Sequence, residues 1–389
     1  MDKAGQSQNP LCLILADDLT GACDAAAPFA SRGLLAEVSM VLSAPTGADV
    51  FAVNTNSRDL PEREALMHLE AATELLRPAM PAIFLKKLDS VFRGNTFAEI
   101  GAMTSLFHEK ITLLAPSFPA AGRKVRNGCL FLEDDDRPQL DISKALRSCG
   151  INHALFDVTG SVEEKQALLH AVVAEGHRFI LCDAETDLEL KALTSAGLSL
   201  DQDVLWIGSG GLACALAHSL PLKKSGIGPM TPFVATFIFC IGSDHPTMMR
   251  QVEHVCECNE VIRIQSSNDG TPAVTAALQR GAHLMLEIGR EQTSMDAIRT
   301  LLPQLQELPA VALFLSGGDT AMRICEALST ESISLRGELF PGIPWGVMQG
   351  GMADGMLVIT KSGGFGSRDV LTLLMRMCSR ERGGHAPCK

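Results

Sequence analysis

Two adjacent carboxylates, Asp17 and Asp18, follow an apolar run from Leu11 to Ala16 and precede Thr20 and Gly21. Such a run reads as a parallel strand covered on both faces. In an open α/β sheet, the crevice beyond a strand's carboxyl end is where ligands bind. A carboxylate there can accept a proton from a substrate hydroxyl or hold a sugar hydroxyl in place. An Asp at that point also suits a helix N-cap, with Thr20 assisting, which accounts for one of the two carboxylates.

Cations gather at the ends of other short apolar runs: Arg58, Lys86, Lys87, Arg93, Arg123 and Lys124. Arg offers a planar fork for a carboxylate and Lys a point charge. Taken singly, each is an ordinary surface charge. Together with Asp17, Asp18 and Asp89 they suggest a small, polyhydroxylated, anionic substrate. Asp89 equally suits a pairing with Lys87 or Arg93, and Ser90 and Asn95 suit turns.

A second set of residues suits phosphate. Ser316-Gly317-Gly318-Asp319-Thr320 lies between an apolar run and a helical pattern of Ala321, Ile324, Cys325 and Leu328. Lys361-Ser362-Gly363-Gly364-Phe365-Gly366 repeats the arrangement before Leu371, Leu374, Met375 and Cys378. Glycines at such turns let backbone N–H groups approach an anion, and the helix N-terminus adds its dipole. Lys361 would add charge to a polyphosphate. Glycine is also the default residue of tight turns, so one such turn says little. Two of them, with Gly242-Ser243 after a third apolar run, favour nucleotide binding.

Several templates fail. There is no G-x-x-x-x-G-K-[ST]. Gly208-Ser209-Gly210-Gly211-Leu212-Ala213 matches G-x-G-x-x-A, but no acid follows near Cys240, where a ribose partner is expected. The ten histidines form no H-E-x-x-H or triad-like setting.

These residues need elements to hold them. Strands are expected at Leu11–Ala16, Glu37–Leu42, Val50–Val53, Ala82–Leu85, Ile111–Ala115, Phe179–Cys182 and Val204–Gly208. Helices are expected at Gly21–Ser31, kinked or ended by Pro28, at Pro61–Leu76 with Ala65, Leu69, Ala72 and Leu76 on one face, near Thr186, and at Leu212–Ser219. Pro116–Gly128 reads as a loop. Strands alternating with helices, with polar residues after the strands, predict a doubly wound α/β domain. Pro221–Pro232 is rich in Pro, Gly and Lys and reads as a linker between a domain at 11–220 and another at 233–389. The latter has strands at Phe233–Ile241, Val261–Ile264, His283–Ile288, Val311–Leu315 and Met356–Thr360.

At 389 residues the chain is long enough for two domains. Hydrophobic residues at 46% and charged residues at 20% describe a globular protein. A net charge of −12 disfavours a nucleic-acid partner. No apolar run reaches membrane-spanning length, and Met1–Pro10 lacks the apolar core of a signal peptide. The twelve cysteines are scattered and include no C-x-x-C pair. They read as small buried hydrophobes in a reduced cytoplasm.

The chain resembles the four-carbon acid sugar kinases along nearly its whole length. The resemblance runs through ADDLTGACD at Ala16–Asp24, NTNSR at Asn54–Arg58, KKLDSVFRGN at Lys86–Asn95 and APSFPAAGR at Ala115–Arg123. It continues with GSGGLA at Gly208–Ala213, IGSDHPT at Ile241–Thr247, LSGGDTA at Leu315–Ala321, PGIPWG at Pro341–Gly346 and TKSGGFG at Thr360–Gly366. This implies two α/β domains, each on a largely parallel sheet, substrate domain first and nucleotide domain second, with the active site in the cleft between them and 221–232 a hinge.

The implied reaction is ATP-dependent phosphorylation of the terminal hydroxyl of threonate, erythronate or 3-oxo-tetronate, with Mg²⁺. Carried over by motif, Asp18, Arg58, Lys87, Asp89 and Arg93 hold the acid sugar. Ser243, Gly317, Gly318, Asp319, Thr320, Gly363, Gly364, Phe365 and Gly366 hold ATP. The catalytic carboxylate is expected to be Asp18 first and Asp17 second, with no Mg²⁺ ligands assigned, and the assembly is compatible with a homo-oligomer. The chain departs from the family pattern at Val91, where Thr is usual, at Pro28 in the first helix, and at His245-Pro246 in a loop more often rich in Ser. A haloacid-dehalogenase-type phosphatase would need Asp-x-Asp rather than adjacent carboxylates. A non-catalytic acid-sugar sensor would leave the glycine turns unexplained.

Overall fold

The computed structural model describes residues 9–132, 135–157, 161–220, 231–259, 261–264, 281–289, 301–303 and 305–379, with 278, 298 and 299. The chain forms two compact units, Met1–Ile227 and Gly228–Lys389. Most of the proposed linker, 221–230, lies outside the described residues.

In the first unit, β1 (Cys12–Ala16), β2 (Ala36–Ser39), β3 (Val50–Asn54), β4 (Ile83–Lys87) and β5 (Ile111–Ala115) alternate with α1 (Leu19–Ala30), α2 (Glu62–Leu76) and α3 (Thr96–Leu106). A side sheet follows, made of β6 (Arg123–Arg126), β7 (Cys129–Leu132) and β8 (Leu140–Asp141), and then α4 (Ile142–Ser148). The unit closes with β9 (Ala154–Phe156), α5 (Val162–Ala174), β10 (Phe179–Cys182), α6 (Asp187–Leu198), β11 (Val204–Gly208) and α7 (Gly210–Ser219). The main strands run parallel in the order β2-β3-β1-β4-β11-β5-β10-β9. Strands covered on both faces carry continuous apolar runs, and β1, β3 and β11 are buried at every residue. On one face Leu13, Leu15, Phe51, Phe84 and Leu205 pack with Ile100 and Met103 of α3.

Three expectations for this unit need correction. The first helix starts at Leu19, two residues before Gly21, because Asp18 caps it, and it ends at Ala30 with Pro28 inside its last turn. The second strand stops at Ser39, leaving Val41 and Leu42 exposed. Pro116–Gly128 is not all loop: β6 pairs antiparallel with β7 across Asn127-Gly128. Both turn residues have positive φ, 52° and 71°, the backbone a type I′ hairpin requires and the reason Asn-Gly suits it. The expected face of α2, Ala65, Leu69, Ala72 and Leu76, is buried.

The second unit contains β12 (Thr236–Ile241), α8 (Pro246–Cys258), β13 (Val261–Ile264), β14 (His283–Glu287), β15 (Val311–Ser316) and α9 (Gly318–Ala327). It ends with β16 (Ser332–Phe340), β17 (Ile343–Gln349), β18 (Leu357–Lys361) and α10 (Val370–Cys378). The order is β13-β14-β12-β15-β18-β17-β16, parallel as far as β18. The last two strands form an antiparallel hairpin that sequence reading did not predict. Phe237, Phe239 and Phe314 form a core with Leu371, Leu374 and Met375 of α10. No described helix is long and apolar enough to cross a membrane.

Candidate functional site

In the first unit, register brings four strand ends to one edge. Ala16 lies beside Asn54 and Lys87, and Lys87 beside Gly208. The following loops are tied down by their backbones, Thr55 N–H to the Ala16 carbonyl at 2.8 Å, Ser57 N–H to the Asp17 carbonyl at 3.0 Å and Leu88 N–H to the Gly208 carbonyl at 2.7 Å.

Asp17, Asp18, Lys87, Asp89 and Ser90 are buried there, and Arg58 is partly exposed. Arg58 donates from Nε to Asp17 Oδ2 and from Nη2 to Asp17 Oδ1, both at 2.8 Å. Its Nη1 donates to Asp18 Oδ2, and its Nη2 lies 3.9 Å from Asp89 Oδ1. Asp18 accepts from Gly21 N–H at 2.7 Å and from Thr20 Oγ1 at 3.0 Å, so its cap and its ion pair coexist. Asp89 accepts from Arg93 through Nη2 at 2.7 Å, Nε at 3.1 Å and the backbone N–H at 3.0 Å.

Burial alone would raise these carboxyls. At Asp17 the Arg58 guanidinium, with Lys86 and Lys87 behind it, overrides burial and holds the pKa below the ordinary carboxylate range. Arg93 and then Arg58 do the same for Asp89. Burial works against the Arg58 charge, but Asp18 and Asp17 outweigh it and push its pKa well up.

Asn95 is a brace, its amide donating to the Ser57 and Leu60 carbonyls at 3.1 and 2.8 Å. Lys86 points to the opposite face of the sheet, because successive strand residues alternate. There it pairs with Glu99 of α3 at 2.7 Å, and Glu99 also accepts from Ser57 Oγ at 2.5 Å. Glu99 escaped sequence reading because it lies in the first turn of α3, where an acidic residue is an ordinary helix start. Lys87 faces α1, its Nζ 3.5 Å from Asp24 Oδ2 and donating to the Leu88 carbonyl at 3.0 Å. Arg123 begins β6 and donates to the Ala121 carbonyl.

In the second unit the three glycine turns converge, because Ile241 lies beside Ser316 and Ser316 beside Lys361. Gly242 N–H donates to the Ser316 carbonyl at 3.1 Å and Gly317 N–H to the Lys361 carbonyl at 3.3 Å. A Cβ on Gly242 would overlap Thr320 Oγ1, and one on Gly363 would overlap Ser243 Oγ. Gly317, at φ 102°, caps α9, whose first turn carries Gly318, Asp319 and Thr320. Thr320 is buried, whereas Asp319 is exposed, 4.0 Å from Arg323. Backbone N–H groups at such turns, with no side chain in the way, are what a phosphate cradle requires.

Lys361, expected to add charge to a polyphosphate, is the last residue of β18 and fully buried. Its ammonium donates to the Ser362 and Gly363 carbonyls at 2.9 and 3.3 Å and lies 3.6 Å from Met248 Sδ. Burial draws its pKa down to about 7. These bonds tie it to the glycine loop. Gln251 of α8, absent from the sequence-based candidates, holds the loop's far side, with Nε2 2.9–3.0 Å from the Phe365, Gly366 and Ser367 carbonyls. Phe365 packs on the β16–β17 turn, where a Cβ on Gly342 would fall 2.5 Å from its ring. Gly364 sits half-buried in the loop. Among the described residues no group of three or more His, Cys, Asp or Glu could hold a metal ion. Mg²⁺ held mainly by phosphates and waters needs no such cage.

The family models agree with this division of labour. A sugar-binding N-terminal domain matches residues 12–148 and a nucleotide-binding C-terminal domain matches residues 246–371. D-threonate kinase of Cupriavidus necator is 30% identical, over 92% of this chain and 96% of that one. D-threonate kinase of Bordetella bronchiseptica is also 30% identical, over 93% and 96%. A Salmonella typhimurium structure described as a putative tRNA synthase superposes with a TM-score of 0.70 at 19% identity, covering 94% of this chain and 98% of that one, which shows the shared fold. The class so defined is a phosphotransferase with an alcohol group as acceptor. Within it, the chain belongs to the four-carbon acid sugar kinase family.

Proposed function

We propose that this protein is an ATP-dependent kinase that phosphorylates the terminal hydroxyl of a four-carbon acid sugar in the cytoplasm. D-threonate is the first candidate, because the 30%-identical relatives carry that name. Erythronate and 3-oxo-tetronate follow. The substrate domain is 11–220 and the nucleotide domain 233–389. The observation that carries the reading is the gathering of Asp17, Asp18 and Asp89 with Arg58, Lys87 and Arg93 at the strand ends of the first unit. Such a set suits a small molecule bearing both hydroxyls and a carboxylate.

Phosphoryl transfer asks the protein for positioning and charge neutralisation more than for covalent chemistry. Lys87 and the arginine forks hold the carboxylate end, with Ser90 beside them in the chain and Asn95 bracing the loop. Asp18 orients the distal hydroxyl and takes its proton. Asp17 gives both oxygens to the Arg58 fork, whereas Asp18 gives Arg58 one oxygen and caps α1 with the other, so Asp17 is the second candidate for that task. Ser243, Gly317, Gly318, Asp319, Thr320 and the loop Gly363, Gly364, Phe365 and Gly366 hold the nucleotide, with Lys361 fixing the loop from behind. Mg²⁺ on the phosphates supplies charge neutralisation. Localisation rests on the scattered cysteines, which include no C-x-x-C pair and suit a reducing compartment.

The test is ADP release with Mg-ATP across D-threonate, L-threonate, D-erythronate and the 3-oxo-tetronates. Turnover on one of them names the substrate. Acid binding without ADP release would instead indicate a sensor, and silence with no nucleotide binding would overturn the reading.

A further inference from the structure

Asp24 belongs to no role assigned above, yet it is a buried carboxylate with one oxygen unmet. It lies on α1 with 3% of its surface exposed. Its Oδ2 faces Lys87 Nζ at 3.5 Å, while its Oδ1 has no hydrogen-bond partner. Leaving a buried acceptor unmet is unfavourable, and a structure keeps one where something is gained in return.

Two glycines of different motifs make room for Asp24 and for its partner Lys87. A Cβ on Gly210 would fall 2.6 Å from Asp24 Oδ2, 2.6 Å from Phe118 Cε1 and 3.0 Å from Asp24 Oδ1. A Cβ on Gly21 would fall 2.5 Å from Asp18 Oδ1 and 3.4 Å from Lys87 Nζ. Asp24 is thus seated against one glycine, and Lys87, its partner, against another. This also gives the Gly208–Ala213 turn a purpose. Gly210 opens a notch for Asp24, and the likeness of this turn to a dinucleotide fingerprint follows from the same need for small residues.

We infer that Asp24 is a positioning residue that anchors the Lys87 ammonium from behind, so that Lys87 meets the carboxylate of the acid sugar in a fixed place. The inference rests on the kinase reading. The charged groups acting on Asp24 are Lys87 from β4, Asp18 at the start of α1 and Arg123 from β6. Burial raises the Asp24 carboxyl above its ordinary range despite the two cations. A carboxylate so placed leans on its cation more than an exposed one does.

The experiment is a double-mutant cycle on the full chain, Asp24→Asn, Lys87→Met and both together. It is read in the KM for D-threonate (or whichever acid proves to be turned over), in the KM for ATP and in melting temperature. Each single change is expected to raise the acid KM at least tenfold with the ATP KM within twofold, and the double variant to be no worse than Lys87→Met alone. Gly210→Ala, which crowds Asp24 Oδ2 and the Phe118 ring without altering charge, should show the same acid-specific rise, with its melting temperature read beside it. An acid KM within twofold of wild type in both Asp24→Asn and Gly210→Ala overturns the inference, as do additive losses in the cycle. Wild-type protein that turns over none of the acids would overturn the kinase reading itself, a result separate from either of these.

Discussion

Arg58 meets Asp17 fork to fork, Nε on Oδ2 and Nη2 on Oδ1, each at 2.8 Å, and uses its remaining nitrogen on Asp18. One guanidinium thus holds the loop after β3 to the end of β1, pairs with two buried carboxylates and keeps the pKa of Asp17 below the ordinary range. Bidentate geometry of this kind is open to Arg and closed to Lys.

Arg58→Lys should therefore be nearly as damaging as Arg58→Gln. Removing one partner of a buried pair strands the other charge, at a cost of about 3–5 kcal/mol. Urea unfolding of both variants checks this, and a Lys variant within about 1 kcal/mol of wild type would show that charge alone suffices.

Asp18→Asn should lower turnover by about 10²- to 10⁴-fold, the usual contribution of a general base. Asp17→Asn should act mainly on stability, because both of its oxygens are committed to Arg58. Single-turnover rates beside melting curves separate the two. Activity of Asp18→Asn within about tenfold of wild type would remove Asp18 as the essential base.

Gly363→Ala sets a methyl group against Ser243 Oγ. The KM for ATP should rise about tenfold or more while that for the acid sugar stays unchanged. A nucleotide titration by calorimetry is the direct measurement, and an equal loss for both ligands would point to general damage.

Lys361 makes the pH dependence of stability specific. Its pKa is about 7 in the folded chain and about 10.4 when solvated. Between those values the unfolded chain binds the extra proton, so this group makes stability rise with pH, by at most about 1.4 kcal/mol per pH unit. Lys361→Met should flatten that rise between pH 7 and 10 and be the more stable form at pH 7. Urea midpoints at several pH values test it, and parallel profiles for the two proteins would refute it.

Much of the frame was legible because the strands carrying the candidate residues run parallel in both units and are buried on two sides. Their apolar runs stood out, and the polar residues after them marked the functional edge. What escaped has physical reasons. The β6–β7 hairpin reads as polar, Arg-Lys-Val-Arg, because it lies outside the main sheet, and its Asn127-Gly128 turn was the signal overlooked. The β16–β17 hairpin carries Pro341 and Pro344 near its turn, which hide a strand pattern. The burial of Lys361 was not legible because its strand runs one residue further than hydropathy indicates. Asp24 drew no notice inside an Ala-rich helix, because the sequence pattern does not show that every residue of α1 is buried.

The grip of Gln251 on the glycine loop has a thermodynamic consequence. Its buried amide and the Lys361 ammonium fix the loop's carbonyls by bonds internal to the second unit. The loop's conformational entropy is thus surrendered during folding, before any ligand arrives. Under the proposed function, nucleotide association then requires little further ordering. The same few bonds would set both the rigidity of the loop and its nucleotide affinity, so loosening α8 would weaken nucleotide capture well before it unfolds the domain.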